Sequence, residues 1–410
     1  IWEEGNGNAY YTAAVQSMLM NWHNFFFASF DPGGFITVDK PAPGLWLQCL
    51  FALVFGVHGW SVILPEALSS VGSVAVLYHL VKRSFGKPAG LLSALFLSLT
   101  PIFIAASRSN NLDGTLVLVC LLAVWAALKA AENGSLKLLI LSMALIGLGF
   151  NMKMLQAFMF LPAVLLIYLF TANTKLKKRI AHLAISMVIL LAVSLSWAIA
   201  VDMIPANQRP YVGSSTTNSE LELALGYNGI ERLLHSSGTG MGGNGFSRSG
   251  GDASSDTSST SLFGSLTTSK SGIPNEGGQA GVLRLFNQEM AGQATWLLVF
   301  SMFGLLTLLL NLKQSNKENR KAILRQLLCW AGMFAPMYVF FSVSGHFHRY
   351  YLIMFAPCLA ALSAIGFIQA WQFYIHGDQE GKSGWKGFLL PVSIAVTAAV
   401  QVFILSDYSS

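Results

Sequence analysis

Hydrophobic positions along this chain fall into blocks of membrane-spanning length joined by short polar links, not into the period-2 or sparse period-3.6 patterns of a water-exposed domain. A helix needs roughly 17 to 25 mainly apolar residues to cross about 30 Å of hydrocarbon, which predicts about ten spans. They fall at 60–81, 88–106, 113–131, 136–151, 155–172, 180–201, 293–312, 323–343, 350–371 and 387–407. The apolar stretch Gly44 to Val57 is too short to cross unaided and reads as a re-entrant or interfacial helix. Residues 9–27 carry Tyr10, Tyr11, Val15, Met18, Leu19, Trp22, Phe25 and Phe26 at mixed helical spacing, which suits an amphipathic helix on the bilayer surface. Asp31-Pro32-Gly33-Gly34 then turns the chain. The expected fold is all-α, a polytopic membrane bundle with extracytoplasmic amphipathic helices and one long outer loop.

Composition agrees: 53% of the residues are hydrophobic and 11% charged. Soluble domains carry about a quarter charged residues. Lysine and arginine collect in alternate links: Lys82, Arg83 and Lys87; Lys129 and Lys137; Lys175, Lys177, Lys178 and Arg179; Lys313, Lys317, Arg320, Lys321 and Arg325; Lys382 and Lys386. That asymmetry places these links in the cytoplasm. Residues 1–59, the 107–112, 152–154 and 344–349 turns, and the long 202–292 segment then face outward, and a preceding helix is expected ahead of Ile1. The net charge of +6 is accounted for by this bias and gives no argument for nucleic acid.

The chain divides into a first outer loop (1–59), a helical block (60–203), an outer segment (204–292) and a second helical block (293–410). Within the outer segment, 236–280 is dominated by Ser, Gly and Thr, too little apolar surface to offset the entropy of ordering. Its Gly238-Thr239-Gly240-Met241-Gly242-Gly243 run is no phosphate-binding loop, since no strand precedes it and no Gly-Lys-Ser/Thr follows. Cys49, Cys120, Cys329 and Cys358 lack metal-like spacing and read as small core hydrophobes.

Ionisable groups at membrane depth tend to mark function. On the outer side these are Asp31; Asp39-Lys40, next to Pro41; Asp113, after Arg108-Ser109-Asn110-Asn111-Leu112; and His346-Phe347-His348-Arg349-Tyr350-Tyr351. Together they suit movement of a group attached to phosphate. Each also has a structural reading. Asp113 would cap a helix, Asp31 would build a turn, Lys40 would reach the headgroups, and the histidines and tyrosines would belong to an interfacial belt. Lys153 reads as a headgroup anchor, and Glu66 and His79 as groups packed against neighbouring helices.

These elements resemble the polyprenol-phosphate-sugar-dependent glycosyltransferases of the C-type fold, closest to bacterial protein-mannosyltransferase and lipid A aminoarabinose-transferase relatives. The likeness rests on Tyr10-Tyr11, on Asp39-Lys40-Pro41 followed by Leu45-Trp46-Leu47, on Asp113, and on His348 with Tyr350-Tyr351. It implies a multi-pass bacterial cell-membrane enzyme that takes a sugar from a polyprenyl-phosphate donor, amid membrane lipids, to an acceptor hydroxyl of a protein, glycan or lipid. Asp39, Asp113 and Asp31 are then the candidate bases, and Lys40, Arg349, His346, His348 and Tyr350 the candidate phosphate ligands. Some relatives use a divalent metal, for which Asp39 with His346 or His348 would serve. One departure stands out: relatives carry an Asp-Glu pair before the first-loop Tyr, whereas Gly7-Asn8 stands here. A secondary transporter or a catalytically silent scaffold is the alternative.

The charge asymmetry predicts that an impermeant thiol reagent on intact cells labels Ser255→Cys and spares Ser315→Cys. The reverse pattern would invert the site assignment.

Overall fold

The computed structural model describes residues 7–226, 277–345, 347–376 and 384–408. Most of the Ser/Gly stretch at 236–280, together with Glu3, Glu4, His346 and Lys382, lies outside the described residues. The helices are α1 (Ala9–Met18), α2 (Trp22–Phe27), α3 (Ala42–Phe55), α4 (Gly59–Leu99), α5 (Pro101–Ser107), α6 (Asp113–Asn133), α7 (Leu136–Lys153), α8 (Leu161–Thr171), α9 (Leu176–Asp202) and α10 (Glu220–Leu225). After the gap come α11 (Gln288–Ala294), α12 (Leu298–Gln314), α13 (Lys317–Val343), α14 (Ala356–His376) and α15 (Leu389–Tyr408).

Among the described residues, eight helical stretches are long and apolar enough to cross a membrane. Two of them fold back on themselves, which reconciles eight with the larger number of expected blocks. In α4 the reversal is at Gly86, whose φ of 85° suits glycine. Gly90 consequently lies against Lys82 and Tyr78, residues that a continuous helix would hold about 12 and 18 Å away along its axis. The stretch Leu136–Thr171 reverses at Met154, φ 49°. The rings of Phe150 and Phe158 then stand 5.1 Å apart.

Helix α6 shows how the two ends of the bundle differ. Its 21 residues rise about 30 Å, the thickness of the hydrocarbon layer. At its far end Glu132 pairs with Arg83 and, at 3.3 Å, with Arg325. Lys321 reaches Asn173 at 2.5 Å there, and Arg179 donates to the Leu169 carbonyl at 2.9 Å. These are the lysines and arginines of the basic links. At the near end of α6 stands Asp113, where the other polar groups gather. Between the ends the interior is apolar and tightly filled around α6 and α14. Helix α15 leaves Val402, Phe403 and Leu405 exposed, as a lipid-facing helix does.

Two expectations need correction. Residues 9–27 form two helices, because Asn21 interrupts the first and caps the second, accepting from Asn24 N–H at 2.8 Å. His79 is exposed on the side of α4 and is not packed against a neighbour.

The segment after α9 folds back onto the first loop. Thr37 N–H donates to the Tyr211 carbonyl (2.9 Å), Tyr211 N–H to the Phe35 carbonyl (2.7 Å), and Gly213 N–H to Thr37 Oγ1 (3.0 Å). A side chain at Gly213 would bring its Cβ within 2.3 Å of the Thr37 carbonyl oxygen, so only glycine permits this approach. Gly213→Ala is expected to cost about 1–3 kcal/mol of stability, as overpacking does. Gly281, whose added Cβ would meet nothing within 4 Å, supplies the control, since Gly281→Ala should leave the detergent melting temperature unchanged. Equal melting temperatures for the two variants would refute the docking.

Candidate functional site

Asn8 caps α1, its Oδ1 accepting from Tyr10 N–H at 3.1 Å. The same residue ties α1 to the 108–112 turn. Its N–H donates to Asn110 Oδ1 (2.7 Å) and its Nδ2 to Asn111 Oδ1 (3.0 Å), while Asn110 Nδ2 donates to the Asn8 carbonyl (3.1 Å) and to Thr12 Oγ1 (3.0 Å). The amide of Asn8 therefore builds structure. Anchored in this way, α1 aims its two tyrosines at the later elements. Tyr10 Oη accepts from Asp39 N–H at 3.0 Å. Tyr11 is buried among Asp39, Asp113, Tyr350 and Tyr351, and burial first, with Asp39 second, holds its phenol well above the ordinary range.

Asp39 and Lys40 sit where the chain enters α3, just before Pro41, whose φ of −58° leads into the helix. Lys40 Nζ lies 2.7 Å from Asp39 Oδ2 and 3.1 Å from the Asp39 carbonyl. The lysine is only 4% exposed, whereas the Asp39 side chain retains 21%. The pair therefore presents a partly open carboxylate over a covered ammonium.

Behind it lies a second, fully buried pair. Lys153 Nζ stands 2.5 Å from Asp113 Oδ2, with Gln156 Nε2 donating to Asp113 Oδ1 at 3.0 Å. Lys153 also lies over the rings of Tyr350 (4.5 Å) and Tyr351 (4.9 Å). It is no headgroup anchor, because the reversal at Met154 carries it into the bundle. Glu66 is packed as expected, its Oε2 accepting from Thr115 N–H at 2.9 Å. Gln48 Nε2 donates to the Asn110 carbonyl at 2.7 Å and lies 3.5 Å from Glu66 Oε1. Buried polar groups persist only with such partners.

The remaining candidates are placed as follows. Asp31 Oδ2 accepts from Phe35 and Ile36 N–H at 2.9 and 3.0 Å, which is the work of a turn residue. His348 stacks on Tyr350, ring centroids 5.1 Å apart. Arg349, half-buried, opens the 3-10 turn Arg349–Met354 that carries both tyrosines. Among the described residues no three His, Cys, Asp or Glu side chains gather to hold a metal. Tyr11, Lys153 and Gln156 were not picked out as site residues from the sequence. The one available signal was a lysine inside the apolar run Asn151-Met152-Lys153-Met154.

Residues 39–197 match the family described as dolichyl-phosphate-mannose-protein mannosyltransferase. The chain is 44% identical to YycA and 41% identical to YkcB of Bacillus subtilis strain 168, both provisionally named mannosyltransferases. All of this chain aligns with each, but it spans 66% and 64% of their lengths, just under two thirds. An undecaprenyl phosphate-alpha-4-amino-4-deoxy-L-arabinose arabinosyl transferase of Pseudomonas savastanoi pv. phaseolicola is 28% identical over 40% of this chain and 31% of its own. The fold is that of ArnT from Cupriavidus metallidurans, whose crystal structure bound to undecaprenyl phosphate superposes with a TM-score of 0.58. That match has 18% identity and covers 98% of this chain and 66% of that one.

Removing one member of a buried ion pair strands the other charge, at about 3–5 kcal/mol. Asp113→Asn and Lys153→Met should each lower the melting temperature sharply, and the double variant should recover much of the loss. A double variant as unstable as the sum of the singles would show that the two groups are not coupled.

Proposed function

We propose that this multi-pass bacterial membrane protein belongs to the polyprenol-phosphate-sugar-dependent glycosyltransferases of the C-type fold and moves a sugar from a polyprenyl-phosphate donor to an acceptor hydroxyl. The observation that carries this reading is the convergence of Asp39-Lys40, Asp113, Lys153, Tyr11 and Tyr350-Tyr351 at one end of the bundle. A fold of the same kind binds undecaprenyl phosphate in the Cupriavidus protein.

In the proposed reaction the acceptor oxygen bonds to the anomeric carbon while the bond from that carbon to the phosphate oxygen breaks, its electron pair leaving with the phosphate. The transition state carries oxocarbenium character on the sugar and growing negative charge on the phosphate. Lys40 is positioned to hold that charge, with Arg349, His348 and Tyr350 as further phosphate contacts. Asp39, the more open of the two paired acids, takes the acceptor's proton. Asp113 is saturated by Lys153 and Gln156, so its role is to fix Lys153 beneath the tyrosine pair. The donor sugar is proposed only as a hexose or pentose, and the acceptor as a hydroxyl compound.

Lys40→Ala should weaken binding of undecaprenyl phosphate by a charge-assisted contact, about 1.5–3 kcal/mol. Asp39→Asn should instead slow transfer by roughly a hundredfold or more with lipid binding nearly intact. Parental binding and turnover in both variants would defeat the proposal.

A further inference from the structure

At the basic end of the bundle, which the lysine and arginine asymmetry assigns to the cytoplasm, the last turn of α8 is surrounded by cations. Arg179, on α9, donates through Nη1 to the Leu169 carbonyl (2.9 Å) and through Nε to that of Thr174 (2.9 Å). From α13, Lys321 donates to Asn173 Oδ1 (2.5 Å) and Arg325 to Thr171 Oγ1 (3.2 Å). Arg325 also pairs with Glu132, near the end of α6, and Glu132 with Arg83 on α4. Asn173 ties the two helix ends together, its N–H donating to the Ala131 carbonyl at 2.8 Å. Contacts with one helix end therefore gather Arg179, Lys321 and Arg325 within about the 10–12 Å width of a helix.

The charges here do not balance. A helix C-terminus is equivalent to about half a negative charge. The ends of α6 and α8 together with Glu132 thus supply about two negative charges against the positive charges of Arg83, Arg179, Lys321 and Arg325. Glu132 is already shared by two arginines, and Arg179 and Lys321 meet only neutral oxygens among the described residues. Lys175, Lys177 and Lys178 stand exposed beside Arg179 at the start of α9, the end at which a helix disfavours cations. The positive-inside bias accounts for basic residues in a link, but it does not require two of them to be folded onto one turn without an anion. Next to these cations the surface turns apolar, with Phe170, Leu176 and Ile180 each more than half exposed. We propose that Arg179 and Lys321 form a binding site for an anionic phospholipid of the cytoplasmic leaflet, the two cations holding its phosphate while Phe170, Leu176 and Ile180 line its acyl chains. Basic pockets between membrane helices on that side take lipid headgroups in this way. The guanidinium and the ammonium carry more N–H donors than their contacts with the protein engage, so donors remain for the phosphate oxygens. The site lies at the opposite end of α6 from Asp113 and stands independently of the proposed reaction.

The test uses the full chain in nanodiscs of mixed phosphatidylglycerol and phosphatidylcholine, with the lipids that stay on the protein after transfer to detergent counted by native mass spectrometry. The parent should retain phosphatidylglycerol in preference to phosphatidylcholine. Each cation near an anionic headgroup is worth roughly a fivefold change in affinity. The double variant Arg179→Gln/Lys321→Gln, in which each glutamine keeps a donor for the end of α8, should therefore lose that preference by roughly 25-fold. Lys137→Gln/Lys313→Gln removes the same charge from exposed lysines at other helix ends, and it should behave like the parent. Equal retention of both lipids by the parent would overturn the proposal. Equal losses in the two double variants would overturn it as well, leaving only a diffuse attraction to the charged leaflet. Displacement of phosphatidylglycerol by an equal concentration of inorganic phosphate would show that the cluster takes the free anion, against the proposal. Should the Arg179/Lys321 double variant fail to fold, Lys321→Gln alone decides: a roughly fivefold loss is expected, and an unchanged preference overturns the site.

Discussion

The buried pairing of Asp113 with Lys153 is the constraint on which the rest of this end of the molecule depends. Neither charge is tolerable alone in an apolar bundle, where an isolated ion costs several kcal/mol even after relaxation. Each therefore requires the other, and they are carried by different helices. The start of α6 and the end of α7 must meet, α7 must reverse at Met154 to deliver the lysine inside, and the turn with Tyr350 and Tyr351 must close over the ammonium. Gln156 and the Glu66–Thr115 contact extend the same logic, each satisfying a polar group that water cannot reach.

Against this fixed floor the Asp39-Lys40 pair is held from two sides by other segments. Tyr10 supports the Asp39 backbone from α1, and the 209–213 segment pairs with 35–37 from the other side. The proposed reaction at an anomeric carbon needs a base and a phosphate ligand fixed relative to each other. Here one is the neighbour of the other in the chain, and both are clamped by hydrogen bonds to backbone. The floor supplies fixed electrostatics, and the upper layer presents the partly open Asp39 carboxylate.

Asn8 acquires a physical meaning in this arrangement. An asparagine can donate and accept at once, and Asn8 does so through its side chain and main chain, locking α1 to Asn110 and Asn111. A carboxylate there could accept from Tyr10 N–H but could not donate to Asn111. The position holds the loop.

The sequence by itself determined the membrane character and the separation of a basic end from a polar one. These are properties of composition along the chain: an apolar block of the right length is a spanning helix whatever its neighbours, and lysine-rich links declare themselves by their spacing. It also carried the family likeness and the Asp39-Lys40 pair, which is local. What only the tertiary structure decided were the relations between distant residues. Lys153 read as an anchor because it adjoins a turn, and only the packing of α7 against α6 turns it inward onto Asp113. Residues 9–27 read as one helix because periodicity does not register a cap at Asn21. Glu220 carried no signal at all, since its burial depends on the docking of the 209–225 segment onto the first loop. Hydrophobic length is written in consecutive residues, whereas the compensation of a buried charge is chosen among groups that become neighbours only after the chain has folded.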